Sequence, residues 1–313
     1  MTPEARVLIT GGAGRLGRSV VIALADAGLD VVSLDRSTLE GLPARQIEID
    51  LLDPLATAEA FREIAPTAVI HLAAIAVPGA LPDPQVFDIN TRLVWSVLDA
   101  TVSSGAGALL VASSPTVIGY GSPAGWRPLY LPLDESHPVA PWNGYAASKV
   151  AIEQIVQMAV RRDGERVRFG VFRPCYVIAP EEWSGAPTQQ GHTIADRLAN
   201  PALSAVALFN YVDARDAAAF VLAWLKQARD IPNGEVFFVG APDSLVQAPV
   251  SAALSSLVPG TEDAAGGLAD NDAVFSSTHA EELLGWRATR SWRTELRDHP
   301  SPASPHHEES SYV

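Results

Sequence analysis

Residues 6–17 read RVLITGGAGRLG. The letters RVLIT predict a short buried strand, and the residues after the glycines predict a helix from Ser19 to Ala27. A glycine-rich turn between a strand and a helix is typical of dinucleotide-binding folds, although such a turn can also exist without a ligand. Gly11 would allow the tight turn, Gly14 the approach of a pyrophosphate, and Gly17 close packing of the helix. The helix N-terminus would offer N–H groups to the phosphates.

A carboxylate ends the second predicted strand. Asp35 follows Gly17 by 18 positions, where a dinucleotide fold places the acid that binds the adenosine ribose hydroxyls. Because Asp35 would repel a 2′-phosphate, it favours NAD. The adjacent Arg36 would attract that phosphate, so NADP is the less favoured alternative.

Further apolar runs extend the same pattern. They predict strands at Gln46–Leu51, Ala68–Ala74, Ala108–Ser114, Arg168–Pro174 and Glu235–Gly240. Because helical segments alternate with these strands, we expect an α/β fold with a Rossmann-type doubly wound parallel sheet. Ligands of such sheets bind at the carboxyl ends of the strands.

The pattern breaks after the sixth strand, where the sequence becomes irregular and polar. We therefore expect a small C-terminal substrate lobe beside the nucleotide-binding domain. The predicted NAD-binding domain comprises residues 1–173 and 212–239, and the predicted lobe comprises 174–211 and 240–297. Residues 298–313 are rich in Ser, Pro, His and Glu and are predicted to be a disordered tail.

A tyrosine and a lysine stand four residues apart in the segment NGYAASK, residues 143–149. The following residues predict a helix, so Tyr145 and Lys149 would lie on one helix face. The lysine charge would favour the phenolate and lower the pKa of Tyr145 from about 10. A tyrosine tuned in this way can exchange a proton near neutral pH. Chance spacing on a helix is the alternative.

Composition narrows the functional class. A formal charge of −14 argues against nucleic-acid binding, and no uncharged apolar run is long enough to span a membrane. The single cysteine, Cys175, fits a reducing compartment, and no signal peptide is recognised, so a cytoplasmic protein is expected.

We expect no metal site, since His306 and His307 lie in the predicted tail. His71 is expected to be a packed, hydrogen-bonded histidine.

Taken in order, these motifs resemble the extended short-chain dehydrogenases/reductases, also called the NAD-dependent epimerase/dehydratase family. The resemblance covers residues 6 to about 290 and rests on TGGAGRLG, HLAA, SSPTV, YAASK, RP, VDARD and EELLGW. It implies that Tyr145 is the general acid/base and that Lys149 lowers its pKa and binds the nicotinamide ribose. It also implies that Ser114 orients the substrate oxygen and that Asn90 supports the site.

The same resemblance implies a set of cofactor contacts. They are Gly11, Gly14, Arg15, Leu16, Gly17, Asp35, Arg36, Asp50, Leu51, Leu72, Ala73, Ala74, Tyr145, Lys149 and Pro174.

Two departures from the family pattern bear on the substrate. Pro115 and Thr116 follow Ser114, where family dehydratases and decarboxylases usually carry an acid. The lobe is short, and the approach to the helix predicted at Asp213–Arg229 lacks the arginine of nucleotide-sugar enzymes. A free sugar, a sugar acid or another small polyol-like alcohol is therefore the expected substrate.

The predicted function is an NAD-dependent oxidoreductase that transfers hydride at a secondary alcohol or ketone. An NAD-dependent sugar or nucleotide-sugar epimerase would use the same residues, and a non-catalytic NAD-binding regulator is a third hypothesis.

A homodimer is predicted from the helices at Pro84–Ser104 and Trp142–Arg162, which carry apolar residues on more than one side. Extended family members commonly pair these helices.

Overall fold

The computed structural model describes residues 5–76 and 79–298. A seven-stranded parallel sheet runs through its centre, with the order β3-β2-β1-β4-β5-β6-β9. Its strands are β1 (Arg6–Thr10), β2 (Asp30–Asp35), β3 (Arg45–Glu48), β4 (Ala68–His71), β5 (Ala108–Ala112), β6 (Arg168–Pro174) and β9 (Val236–Val239). The predicted Rossmann-type doubly wound sheet is confirmed.

Helices cover both faces of this sheet. The longer ones are α1 (Arg15–Asp26), α2 (Pro54–Ile64), α3 (Asp83–Ser104), α4 (Gly144–Asp163) and α8 (Ala214–Gln227). The shorter ones are α5 (Pro180–Trp183), α6 (Ile194–Ala199), α7 (Ala202–Ala205), α9 (Val250–Leu257), α10 (Glu262–Ala265), α11 (Thr278–Leu284) and α12 (Trp292–Asp298), and a 3-10 turn spans Pro115–Ile118.

Successive residues of β1 enter two separate cores. Val7 and Ile9 pack with α1 and α8 on one face, whereas Leu8 packs with α2, α3 and α4 on the other. The side chains of a strand alternate between faces, and a parallel sheet covered on both sides therefore needs continuously apolar strands. The run RVLIT meets this need.

Two positions of the first turn have room only for glycine. Gly11 has φ +76°, and a Cβ there would lie 2.7 Å from the backbone nitrogen of Ala73. A Cβ on Gly17 would lie 2.0 Å from the carbonyl oxygen of Gly11. Because the turn is this tight, α1 begins at Arg15, four residues earlier than the sequence predicted.

A small two-stranded sheet joins the chain's second lobe to the main fold. Strand β7 (Val177–Ile178) pairs in parallel with β8 (Val212–Asp213), where the sequence predicted the start of a helix. Beside it lies a separate apolar cluster centred on Trp183 and Tyr211. The domain boundaries predicted above remain a prediction, and nearly all of the predicted tail lies outside the described residues.

Within the described residues, no helix is both long and apolar enough to cross a membrane.

Candidate active site

A cavity of about 720 Å³ opens at the carboxyl ends of the sheet strands. The sequence placed its predicted ligand contacts at this edge, and the structure brings them together. All of the predicted cofactor contacts line the cavity, from Gly11 in the first turn to Pro174 at the end of β6, and Ser114 lines it as well.

The Asp35 carboxylate lines the end of the cavity that is predicted to bind adenosine. One oxygen accepts a hydrogen bond from the backbone N–H of Ala13 at 3.0 Å, and the other accepts from the N–H of Arg36 at 2.7 Å. The carboxylate therefore fixes the glycine turn relative to β2. A carboxylate oxygen has lone pairs for more than one donor, so Asp35 can also accept from ribose hydroxyls.

Arg15 stands at the start of α1, beside the glycine turn. Its guanidinium contacts the buried carboxylate of Glu182 on α5, and burial lowers the pKa of Arg15. Arg18, one helical turn later, contacts Glu181. The sequence predicted Arg15 as a cofactor contact; in the structure this residue ties α1 to α5.

Ser114 and Tyr145 lie at the centre of the cavity. Ser114 Oγ accepts hydrogen bonds from the backbone N–H of Thr116 at 3.3 Å and from its hydroxyl at 3.0 Å. These bonds fix the position of the serine oxygen. Burial raises the pKa of Tyr145, and the hydrogen bond from Ser114 lowers it by less.

Lys149 lies one turn beyond Tyr145 on α4. Its Nζ donates to the carbonyl oxygen of Ala112 at 2.9 Å and lies 5.7 Å from the centre of the Tyr145 ring. Burial lowers the pKa of Lys149 to about 8, and Glu153 opposes this shift. The predicted lowering of the Tyr145 pKa is therefore wrong for this structure, because burial of the phenol outweighs the ammonium, which is bonded elsewhere.

A buried ion pair, Arg173 and Glu153, acts on the charge of Lys149. Arg173 binds Glu153 through two hydrogen bonds of 2.8 Å, and Glu153 also accepts from Ser113 Oγ at 2.6 Å. Both side chains of the pair are under 10% exposed. Sequence reasoning did not single out Glu153, although it follows Lys149 by four residues and therefore shares its helix face.

Asn90 and His71 are not among the residues that line the cavity. The Asn90 amide bonds the backbone N–H and carbonyl of Ile75 and donates to Ser148 Oγ at 3.1 Å, so it ties α3 to α4 and to the loop after β4. His71 shares a 2.7 Å hydrogen bond with Thr10, and burial lowers its pKa to about 3. His71 is thus the packed histidine that the sequence predicted.

The segments that follow β6 close the cavity with uncharged side chains. Tyr176, Gln190 and Asn210 supply its polar groups, and Val206 supplies an apolar one. The cations that line the cavity are Arg15, Arg36 and Lys149, all contributed by the sheet side. The sequence analysis predicted a substrate lobe in this part of the chain but did not identify these lining residues, because they come from short irregular segments.

The sequence profile of the NAD dependent epimerase/dehydratase family matches residues 7–240. Among curated relatives, UDP-glucose 4-epimerase of Mus musculus is 31% identical over 179 residues, which cover 50% of each chain. The enzyme of the same name from Azospirillum brasilense is 33% identical over 168 residues, covering 51% of this chain and 46% of the relative. The chain thus aligns with about half the length of these relatives.

Solved structures share the fold over nearly the whole chain. A UDP-glucose-4-epimerase from Stenotrophomonas maltophila, with bound NAD and formylated UDP-arabinopyranose, has a TM-score of 0.72 at 20% identity. It covers 95% of this chain and 97% of its own. A short-chain dehydrogenase/reductase superfamily protein from Agrobacterium tumefaciens with bound NAD has a TM-score of 0.69 at 23% identity, covering 94% and 95%.

Proposed function

Because the chain belongs to the NAD dependent epimerase/dehydratase family, we propose that it is an NAD-dependent oxidoreductase acting on a secondary alcohol or ketone of a small sugar-like substrate. The observation that carries this proposal is one cavity that joins the glycine turn and Asp35 at one end to Ser114, Tyr145 and Lys149 at the other. That arrangement also argues against a non-catalytic NAD-binding regulator.

The cavity fits a dinucleotide. An added Cβ on Gly14 would meet only the carbonyl oxygen of Gly11, at 3.2 Å, so the backbone at Gly14 is open to a ligand. Asp35 offers acceptors to ribose hydroxyls and opposes a 2′-phosphate, which supports NAD over NADP. When bound, NAD supplies the hydride acceptor or donor.

The chain's own residues would position the substrate and move its proton. Ser114 Oγ, held by Thr116, donates a hydrogen bond to the reacting oxygen. Tyr145 Oη takes the hydroxyl proton during oxidation and returns it during reduction. The Lys149 ammonium, 5.7 Å from the centre of the Tyr145 ring, would favour the phenolate and so offset part of the rise in pKa that burial imposes on Tyr145.

The substrate side of the cavity supports a compound without a diphosphate. Its lining residues carry no cation within the described part of the chain, whereas phosphates in proteins are commonly bound by arginine or lysine. This agrees with the missing arginine before α8 and supports a free sugar, a sugar acid or a polyol-like alcohol.

An epimerase is the second candidate, because the curated relatives named above are UDP-glucose 4-epimerases. An epimerase would return the hydride to the opposite face of the ketone and so regenerate its cofactor. The two functions would use the same residues and differ in outcome: the oxidoreductase gives a ketone and net NADH, whereas the epimerase gives an epimer without net NADH.

A substrate panel separates the candidates. Sugars, uronates, polyols and UDP-sugars would each be incubated with NAD, with NADH followed by absorbance and epimers by NMR, and with Tyr145→Phe as the control. Net NADH that depends on Tyr145 supports the oxidoreductase. Epimer formation without net NADH supports the epimerase, and the absence of both across the panel contradicts the proposal.

The proposed location is the cytoplasm. It is supported by the cysteine content of the chain, since the single cysteine, Cys175, is buried and cannot form an internal disulfide.

A further inference from the structure

A buried arginine lies directly behind the substrate side of the cavity. Arg197, on α6, is 1% exposed. Its guanidinium donates to the carbonyl oxygen of Leu203 at 2.7 Å, to Tyr176 Oη at 3.2 Å and to Gln190 Oε1. It also stacks on the Tyr176 ring, with 4.5 Å between the guanidinium carbon and the ring centre.

All of these partners are uncharged. Within residues 5–76 and 79–298, no carboxylate lies at salt-bridge distance from Arg197, and its Nε has no hydrogen-bond partner. The other deeply buried arginine, Arg173, has the carboxylate of Glu153 bound to it. A buried charge without a counter-ion is costly, so the site of Arg197 is suited to receive one.

Arg197 also sets the polarity of two side chains that line the cavity. A guanidinium has only donors, so the amide oxygen of Gln190 must face it. The Gln190 NH₂ group is then left to donate elsewhere. Tyr176 Oη likewise accepts from Arg197, which leaves its own hydrogen to be donated. Two donors backed by a positive charge thus border the substrate side of the cavity.

We propose that this cluster binds a single negative charge on the substrate, and that the substrate is a sugar acid whose carboxylate accepts from Tyr176 and Gln190. This inference rests on the proposed function and narrows its substrate class. One guanidinium matches one carboxylate, whereas a diphosphate would bring at least two charges to the same place. Charge-assisted hydrogen bonds are the strong ones, which gives the acid an advantage over its neutral analogue.

The first test measures binding rather than turnover. NAD-saturated protein is titrated by calorimetry with galacturonate, with galactose and with galactose 1-phosphate. We expect galacturonate to bind at least about tenfold more tightly than galactose, the ratio that about 1.4 kcal/mol produces. Equal affinities for acid and neutral sugar overturn the inference. Tighter binding of galactose 1-phosphate than of galacturonate overturns the carboxylate assignment.

Variants locate the effect. Gln190 is exposed, so Gln190→Met leaves the core intact, and it should reduce the preference for acid over neutral sugar about tenfold. Tyr176→Phe should lower the same preference. Gln189→Met, on the same rim, leaves the Arg197 contacts in place and should keep most of the preference. Similar losses in Gln189→Met and Gln190→Met overturn the inference.

The outcome is independent of the proposed reaction. If galacturonate binds with the expected preference but neither NADH nor an epimer forms, the anion site stands and the proposed function fails. If neutral sugars are turned over without any preference for acids, the proposed function stands and the anion site fails.

Discussion

Replacing Glu153 by glutamine tests whether the buried pair behind Lys149 controls the site. The change removes the negative charge that Arg173 binds through two hydrogen bonds of 2.8 Å and that Ser113 binds at 2.6 Å. Breaking a buried pair leaves the other charge uncompensated, which typically costs about 3–5 kcal/mol. We expect the free energy of unfolding to fall by that amount in urea denaturation.

The same change should alter the chemistry. Glu153 raises the pKa of Lys149, which burial holds at about 8. Without Glu153 that pKa falls further, so the ammonium loses its proton at a lower pH. Turnover that depends on the ammonium should therefore decline at a lower pH in Glu153→Gln than in the wild type, where the decline is expected near pH 8. The pH dependence of turnover measures this shift.

A double variant separates stability from chemistry. Glu153→Gln combined with Arg173→Met removes both charges, and replacing both partners of a buried pair can be nearly neutral for stability. We expect it to recover much of the lost stability but to keep the acid-shifted pH profile, since Lys149 still lacks its carboxylate. A wild-type pH profile in Glu153→Gln would refute the reasoning, whatever its stability.

Three further predictions concern the cavity and the surface. Tyr145→Phe should lower turnover about 10²–10⁴-fold and change NAD affinity little, as single-turnover kinetics and calorimetry would show; near-normal turnover would remove its proposed role. Asp35→Asn keeps an acceptor for the Ala13 N–H but loses the negative charge, so the affinity for NAD should fall relative to the affinity for NADP. Titrations of both cofactors measure this change, and tighter binding of NADP than of NAD by the wild type would contradict the assignment. The predicted homodimer should give twice the 33.1 kDa chain mass in light scattering. Trp95→Glu, at a 44% exposed position on α3, should reduce the measured mass to that of one chain. A wild-type mass near 33.1 kDa would contradict the prediction.

The sheet and the cofactor edge were predictable because their signals are local. An apolar run of five residues followed by glycines defines a buried strand and a tight turn without knowledge of the rest of the chain. Strand ends in a parallel sheet share one edge, so Asp35 and Ser114 could be placed together before their distance was known. The helix Pro54–Ile64 was not singled out, although Asp53 caps it.

The electrostatic environment was not predictable in the same way. The spacing of Tyr145 and Lys149 was visible, but the pKa of each is set mainly by burial, with Ser114 acting on Tyr145 and Glu153 on Lys149. The Lys149 ammonium also bonds the carbonyl oxygen of Ala112, 37 residues away in the chain. Arg197 reaches Tyr176 and Gln190 only through the folding of an irregular segment. Contacts between distant residues carry no periodic signal, so sequence reasoning could propose catalytic positions but not the groups that surround them.

The two-stranded sheet of β7 and β8 has a consequence for how this fold can change its specificity. Residues 179–211 leave the main fold after Ile178 and return at Val212, and the two strands at these ends pair in parallel, Val177 with Val212 and Ile178 with Asp213. Asn210 reinforces the closure by accepting from the N–H of Tyr176 at 2.8 Å. The cost of closing a loop grows only slowly with its length. We therefore expect the segment between the two strands to be exchangeable, so that a grafted one alters the substrate while the sheet and the cofactor edge stay unchanged.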